Sequence, residues 1–329
     1  MTLANSNDEV LVGQVRNRYG RIAAGEISGC GCGVGAGCET EVAQGIGYGA
    51  DELAELPDEA NLGLGCGAPI GFLAPQPGET VLDLGSGAGI DAFLAARKVG
   101  AAGHVIGVDM TPEMLDKARA GATRMGFAQV EFRAGRLEAL PVDDASVDAV
   151  TSNCVINLVP DKPAVFREIA RVLKPGGRLV VSDIVLERSL PPALAADLLG
   201  YVGCISGAEQ RARYFADLAA AGLGDIEVLR DVDYLETMLA TMPEEVEALL
   251  ARTGTPIDIA VHVLIKNQQH VGIEVTRTLH PWLVRHSDLS RAGWLPIVAQ
   301  PRNRSSAPPC GVSGRSAFRG PDSAPTRRS

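Results

Sequence analysis

Thr80-Val-Leu-Asp-Leu-Gly-Ser-Gly-Ala-Gly-Ile-Asp-Ala-Phe-Leu94 decides the fold. Thr80 to Leu84 is a short apolar run of the kind that fills a buried strand, and Asp91 to Val99 carries helical spacing. Between them, Gly85, Gly87 and Gly89 form a turn in which the backbone can come close to a ligand, while the helix behind it points unpaired N–H groups the same way. A carboxylate suits such a helix end. The spacing is G-x-G-x-G, whereas a dinucleotide fingerprint needs G-x-G-x-x-G, and Ile90 stands where its last glycine would be.

Working outward, apolar runs alternate with amphipathic segments, the pattern of a doubly wound sheet. Strands are expected at His104–Val108, Val130–Arg133, Val147–Ser152 and Arg178–Ile184. Helices are expected at Pro112–Met125, with Thr111 as N-cap, and at Lys162–Val172, which Lys174-Pro-Gly-Gly177 ends. Further on, helices at Pro192–Leu199, Arg211–Ala221 and Glu244–Ala251 accompany strands at Asp225–Arg230 and Ile259–Lys266. Upstream, Glu9–Ala24 reads as a helix, Gly29–Gly37 as a glycine-rich loop, Ala50–Glu55 as a short helix and Asn61–Pro69 as a second glycine-rich turn. Asp109 ends the second strand, about twenty residues past the glycine turn, where an acid can accept hydrogen bonds from ribose hydroxyls.

The chain has 329 residues, 46% hydrophobic and 21% charged, with a net charge of −10. No run approaches the ~18 apolar residues of a membrane span, and the N-terminus lacks the basic and apolar regions of a secretory signal. A cytoplasmic protein is expected. The negative charge disfavours nucleic acid and anionic membranes as partners and points to a small-molecule substrate. From Gln268 to Ser329 periodic structure stops; the segment holds nine arginines, three acids and both tryptophans, Trp282 and Trp294, and reads as a disordered tail.

Seven cysteines in a reducing compartment form no disulfide framework and are a chemical resource. Cys154 follows the fourth strand at the carboxyl end of the sheet, where such sheets bind ligands. Cys66 precedes the first strand and Cys204 follows the fifth, so both can fold over the same edge. Three convergent thiolates suit a soft centre such as trivalent arsenic, whose lone pair is then free to act as nucleophile. A zinc site built from Cys30, Cys32, Cys38 and Cys66 lacks the paired C-x-x-C spacing. His104 and His262 are read as structural.

The glycine turn and Asp109, together with Gly135-Arg-Leu-Glu-Ala-Leu-Pro141 and Leu173-Lys-Pro-Gly-Gly-Arg178, resemble a class I S-adenosylmethionine-dependent methyltransferase over about Gly78 to Asp183. That resemblance implies a Rossmann-like α/β fold: a mostly parallel seven-stranded sheet with helices on both faces. It also implies cofactor contacts from Asp83, Gly85, Ser86, Gly87, Gly89, Asp109, Met110 and Asn153, with adenine held by the Leu137 backbone and the Glu138 carboxylate. Many such enzymes carry an acid where Arg136 stands.

Asn61-Leu-Gly-Leu-Gly-Cys-Gly-Ala-Pro69, Ser152-Asn-Cys-Val-Ile-Asn-Leu158 and Gly203-Cys-Ile-Ser-Gly-Ala208, with Asp109-Met-Thr-Pro-Glu-Met114 and Ser182-Asp-Ile184, resemble arsenite methyltransferases over about residues 40 to 266. The likeness implies that Cys66, Cys154 and Cys204 hold As(III), and that Cys38 and Cys66 form a disulfide when arsenic is returned to the trivalent state. An external thiol reductant such as glutathione or thioredoxin would then reopen it. Cys30 and Cys32 are read as accessory thiols. The expected organisation is a helix and cysteine-rich lid at 1–71, the cofactor-binding core at 72–190, an arsenic-binding portion completing the sheet at 191–266 and an Arg-rich tail at 267–329. The rival expectations are a C- or O-methyltransferase of a small organic acceptor and a non-catalytic metalloid- or zinc-binding protein.

Overall fold

The computed structural model describes residues 3–29, 38–233, 243–254 and 268–276. Cys30, Cys32, His262, the strand expected at Ile259–Lys266 and the tail beyond Thr276 lie outside the described residues. The first five strands are β1 (Thr80–Leu84), β2 (His104–Asp109), β3 (Val130–Ala134), β4 (Val147–Asn153) and β5 (Leu173–Leu186). They lie side by side in the order β3-β2-β1-β4-β5, all parallel. The two-residue strand β6 (Glu209–Gln210) pairs parallel with the end of β5, and β7 (Gly224–Asp233) lies at the far edge. Between β5 and β7, antiparallel to both, runs β8 (Gln268–Thr276). That strand falls in the segment whose composition reads as a tail. Val271, Ile273 and Val275 alternate with His270, Gly272 and Glu274, a period-two signal that the arginine-rich remainder outweighs in any reading by composition.

Strand order reverses between β1 and β4, and this switch point opens a crevice at the carboxyl ends of the two strands. Their side chains alternate between two cores, as the pleat requires. Val81, Val105, Ala149 and Val180 belong to one cluster; Leu82, Leu84, Val150, Leu179 and Val181 belong to the other.

Ahead of the sheet come α1 (Leu3–Ala23), α2 (Glu39–Ile46), α3 (Ala50–Ala54) and α4 (Pro69–Leu73); α1 begins six residues before the expected start. Next, α5 (Ile90–Val99) and α6 (Pro112–Met125) supply Phe93, Ala96, Leu115 and Ala118 to the first cluster. The edge-to-face pair Phe93–Phe132, with centroids 5.9 Å apart, packs behind Gly89, where an added Cβ would lie 2.9 Å from Phe93. On the other face α7 (Lys162–Val172) contributes Phe166 and Ile169.

The helix expected over Pro192–Leu199 is two, α8 (Pro192–Ala195) and α9 (Leu198–Val202). Asp197 divides them, because its carboxylate accepts the Gly200 N–H at 2.6 Å and so caps a new helix. Then α10 (Arg211–Ala220) places Tyr214 against Phe166, and α11 (Pro243–Thr253) is tied back to the α9 cap by Arg252, which donates to Asp197 at 2.7 Å and 2.9 Å. No described helix is long and apolar enough to cross a membrane.

Candidate active site

The switch-point crevice deepens into a cavity of about 450 Å³. Its floor is the glycine turn. Gly85 holds φ +64°, and a Cβ there would run into Val155 just after β4, so only glycine lets the chain turn here from β1 into α5. Asp109 accepts hydrogen bonds from Gly87 N at 3.0 Å and Thr111 N at 2.8 Å, joining the turn to the entrance of α6. Thr111 is the residue before α6, as expected, but its own side chain caps nothing. Asp83, Gly85, Ser86, Gly87, Asp109, Met110, Leu137, Glu138 and Asn153 all line the cavity. Gly89 begins α5 just behind them, at φ +100°.

Three carboxyl groups crowd this floor. Burial pushes Asp83 well above the usual carboxylate range, and repulsion from Asp91 and Asp109 adds to it. Burial likewise lifts Asp91 to about 6 and raises Asp109. Among the described residues, Asp83 Oδ2 and Ser86 Oγ are buried and receive no hydrogen bond. Buried acids in this condition, with unused acceptor atoms, are fitted to a ligand that brings positive charge and donors. S-adenosylmethionine, with an ammonium, a sulfonium and two ribose hydroxyls, meets that description. At the end of the cavity lined by Leu137 and Glu138, Arg136 donates to Glu138 at 2.8 Å and to Glu9 of α1 at 2.6 Å, so the Glu138 carboxylate is already in an ion pair.

Across the cavity the three expected cysteines come together. Cys66 (0% exposed), Cys154 (7%) and Cys204 (5%) belong to one buried cluster with Val15, Val202 and Leu249, and all three are free thiols. The three thiols and the Tyr19 hydroxyl of α1 influence one another, and their protons go to carbonyl oxygens: Tyr19 Oη donates to Val202 O at 3.4 Å, Cys204 Sγ to Cys154 O at 2.9 Å and Cys66 Sγ to Ser182 O at 3.5 Å. Cys66 is pushed up to about 11 by burial, which the donors opposite it partly offset. The neighbouring Cys204 thiol lowers Cys154, but the Cys66 thiol and burial outweigh it. The neighbouring Cys154 thiol and burial hold Cys204 well above a free thiol.

Backbone strain accompanies the convergence. Cys154 has φ +60° and Cys204 φ +65°, a left-handed conformation that costs an L residue roughly 1–2 kcal/mol. Each is held there: Cys154 N donates to Ser182 O at 2.7 Å, and the Cys204 thiol donates to Cys154 O at 2.9 Å. Strain retained in this way is common at functional sites. Cys38 is disulfide-bonded and Cys66 is a free thiol, so the Cys38–Cys66 bond implied by the resemblance is not formed in this structure.

Several residues of the site escape a reading of motifs. Asn153, expected at the cofactor, clamps the Cys66 loop: its Oδ1 accepts Cys66 N at 3.0 Å, while its Nδ2 donates to Gly67 O, Tyr48 Oη and Asp91 Oδ2. Gly65, at φ +98°, lets the loop pass this amide, because a Cβ would sit 2.9 Å from it. Beneath the thiols lies Asp183, 1% exposed, one of whose carboxylate oxygens lies with Cys66 Sγ and Cys154 Sγ in a group whose members are all within 4.8 Å of one another. Burial lifts Asp183 to about 7. The available signal was an acid inside the apolar run Leu179-Val-Val-Ser-Asp-Ile-Val185, where an unpaired carboxylate has no place.

The description of a methyltransferase domain matches residues 75–247. The chain belongs to the methyltransferase-domain family. An arsenite methyltransferase of Halobacterium salinarum is 45% identical to this methyltransferase over 245 residues, covering 69% of the chain and 63% of the relative. The chain therefore spans less than two thirds of that relative's length. The crystal structure of an arsenic(III) S-adenosylmethionine methyltransferase from Chlamydomonas reinhardtii superposes with a TM-score of 0.53 at 28% identity, over 75% of each chain. A demethylmenaquinone methyltransferase of Lactococcus lactis is 41% identical over 88 residues, 27% of the chain and 35% of the relative. The class I fold expected from the glycine turn is thus shown.

Proposed function

We propose that the chain is an arsenite methyltransferase. The observation that carries this reading is the meeting of Cys66, Cys154 and Cys204, from three separate loops, in one buried cluster beside the cavity, whose wall Cys154 and Cys204 help to form. Arsenite, or its glutathione conjugate, exchanges its ligands for the three thiols, and each exchange releases water or glutathione. The pyramid of sulfurs leaves the arsenic lone pair outward, toward the cavity. S-adenosylmethionine, held by the Asp83–Gly89 turn and Asp109, supplies the methyl group as an electrophile. The protein's task is then positioning, since the nucleophile carries no proton to remove. Methylated arsenic is formally pentavalent, and we assign the two electrons for its return to the trivalent state to Cys66 and to Cys38 once glutathione or thioredoxin has opened the disulfide that now holds it; the two thiols become a disulfide, which the same outside reductant reopens. Cys30 and Cys32 are accessory thiols in this scheme. The reducing conditions it needs are those of the cytoplasm.

Incubation with arsenite, S-adenosylmethionine and a thiol, followed by chromatographic separation of arsenic species, should yield methylarsenicals in step with cofactor consumption. Cofactor turnover indifferent to arsenite would point instead to an organic acceptor. Absence of cofactor binding would point to a non-catalytic metalloid-binding protein.

A further inference from the structure

Methyl transfer to arsenic moves a positive charge as well as a carbon. The arsenic lone pair forms the As–C bond, while the S–CH₃ bond breaks and leaves its electron pair on sulfur. Arsenic is oxidised formally from +3 to +5, the methyl carbon is reduced correspondingly, and the charge of the sulfonium passes to arsenic. Three thiolates neutralise trivalent arsenic but leave the methylated centre cationic, so the reaction delivers a cation into a buried, apolar cluster where an unpaired charge is costly.

One buried group beside that cluster answers it. Asp183 sits directly under the thiols, within 4.8 Å of both the Cys66 and Cys154 sulfurs. Its two oxygens receive the Tyr214 hydroxyl and the Ile184 N–H, each at 3.1 Å, and bonds of this kind favour the anion against the burial that raises it. Buried Lys162 lies close enough to attract it. Tyr214 is itself fixed by the edge-to-face contact with Phe166, centroids 5.1 Å apart, so the carboxylate is held in place before arsenic arrives.

We propose that Asp183 is the counter-charge for the arsenic cation formed at methyl transfer, a preorganised anion aimed at where positive charge develops rather than at the neutral trithiolate. It acts through the sulfur ligands and is therefore a positioning residue for charge. This rests on the assignment of arsenic to Cys66, Cys154 and Cys204.

The test separates binding from transfer. Wild-type protein and Asp183→Asn are loaded with stoichiometric arsenite, the dissociation constants for arsenite and S-adenosylmethionine are measured, and the methylation rate is then followed in a single turnover. Asp183→Asn should keep both affinities within about threefold and slow the single-turnover rate by ten- to a hundredfold, and Asp183→Glu should recover most of the rate. If the asparagine variant does not fold, Asp183→Ser gives the same contrast. An unchanged rate in the neutral variant overturns the proposal, and so does a loss of arsenite affinity, which would make Asp183 a support for the ligands. Failure of the thiol assignment is distinguishable, because it is seen in the wild type: arsenite would then bind equally to a Cys154→Ser control.

Discussion

Cys154→Ser should abolish arsenite methylation, lowering it at least a thousandfold, while leaving the affinity for S-adenosylmethionine within about threefold of wild type. Serine matches cysteine in shape but offers arsenic no soft sulfur. Removing one of three linked ligands also forfeits an effective-concentration advantage of roughly 10²–10⁴. The cofactor floor, by contrast, is built from Asp83, Ser86, Asp109 and glycine backbone, and none of these bonds passes through the Cys154 sulfur. Calorimetric titration with cofactor and chromatography of arsenic products measure the two halves. Cys154→Gly sharpens the comparison, since it removes the sulfur and also relieves the left-handed strain of roughly 1–2 kcal/mol at φ +60°. That variant should fold and bind cofactor as well as the serine variant does. Weakened cofactor binding in both would show that Cys154 serves the cavity floor instead of the acceptor.

The complementary result is expected at Asp109. Asp109→Ala should weaken S-adenosylmethionine binding by about a hundredfold or more and leave arsenite binding to the thiols intact. Two losses combine in it. The charged acceptor for the ribose hydroxyls disappears, and hydrogen bonds to charged groups are worth about 1.5–3 kcal/mol. The Gly87 and Thr111 N–H groups also lose the acceptor that fixes the turn against α6. Asp109→Asn keeps an acceptor oxygen but presents an amide N–H₂ to one of those donors, so its defect should be intermediate. Equilibrium dialysis with labelled cofactor, beside arsenite titration of the same samples, measures both affinities. An alanine variant with wild-type cofactor affinity would mean that Asp109 only holds the α6 entrance.

The parts of this molecule that were legible in the sequence are those governed by local rules. The strand–turn–helix from Thr80 to Val99 is set by apolar runs and alternating glycines, and β1, α5, α6 and α7 fall within a residue or so of where periodicity puts them. The convergence of Cys66, Cys154 and Cys204 was legible for a topological reason: Cys154 follows the carboxyl end of β4, and Cys66 and Cys204 lie in segments before β1 and after β5 that can fold over that edge. What was hidden depends on pairing between distant residues. β8 lies in an arginine-rich context, and its place between β5 and β7 is set by partners about ninety and forty residues away. The break between α8 and α9 is set by Asp197 capping the Gly200 N–H, with distant Arg252 holding the capping carboxylate. Asp183 looked like part of a strand motif, and only the fold reveals that it points beneath the thiols with Tyr214 and Lys162 around it.

Arsenic X-ray absorption spectroscopy on the protein loaded with one equivalent of arsenite tests the central claim most directly. The account predicts three sulfur neighbours and no oxygen in the wild type, falling to two sulfurs and one oxygen in each of Cys66→Ser, Cys154→Ser and Cys204→Ser. A spectrum with fewer than three sulfurs in the wild type, or one that any of those substitutions leaves unchanged, would contradict it.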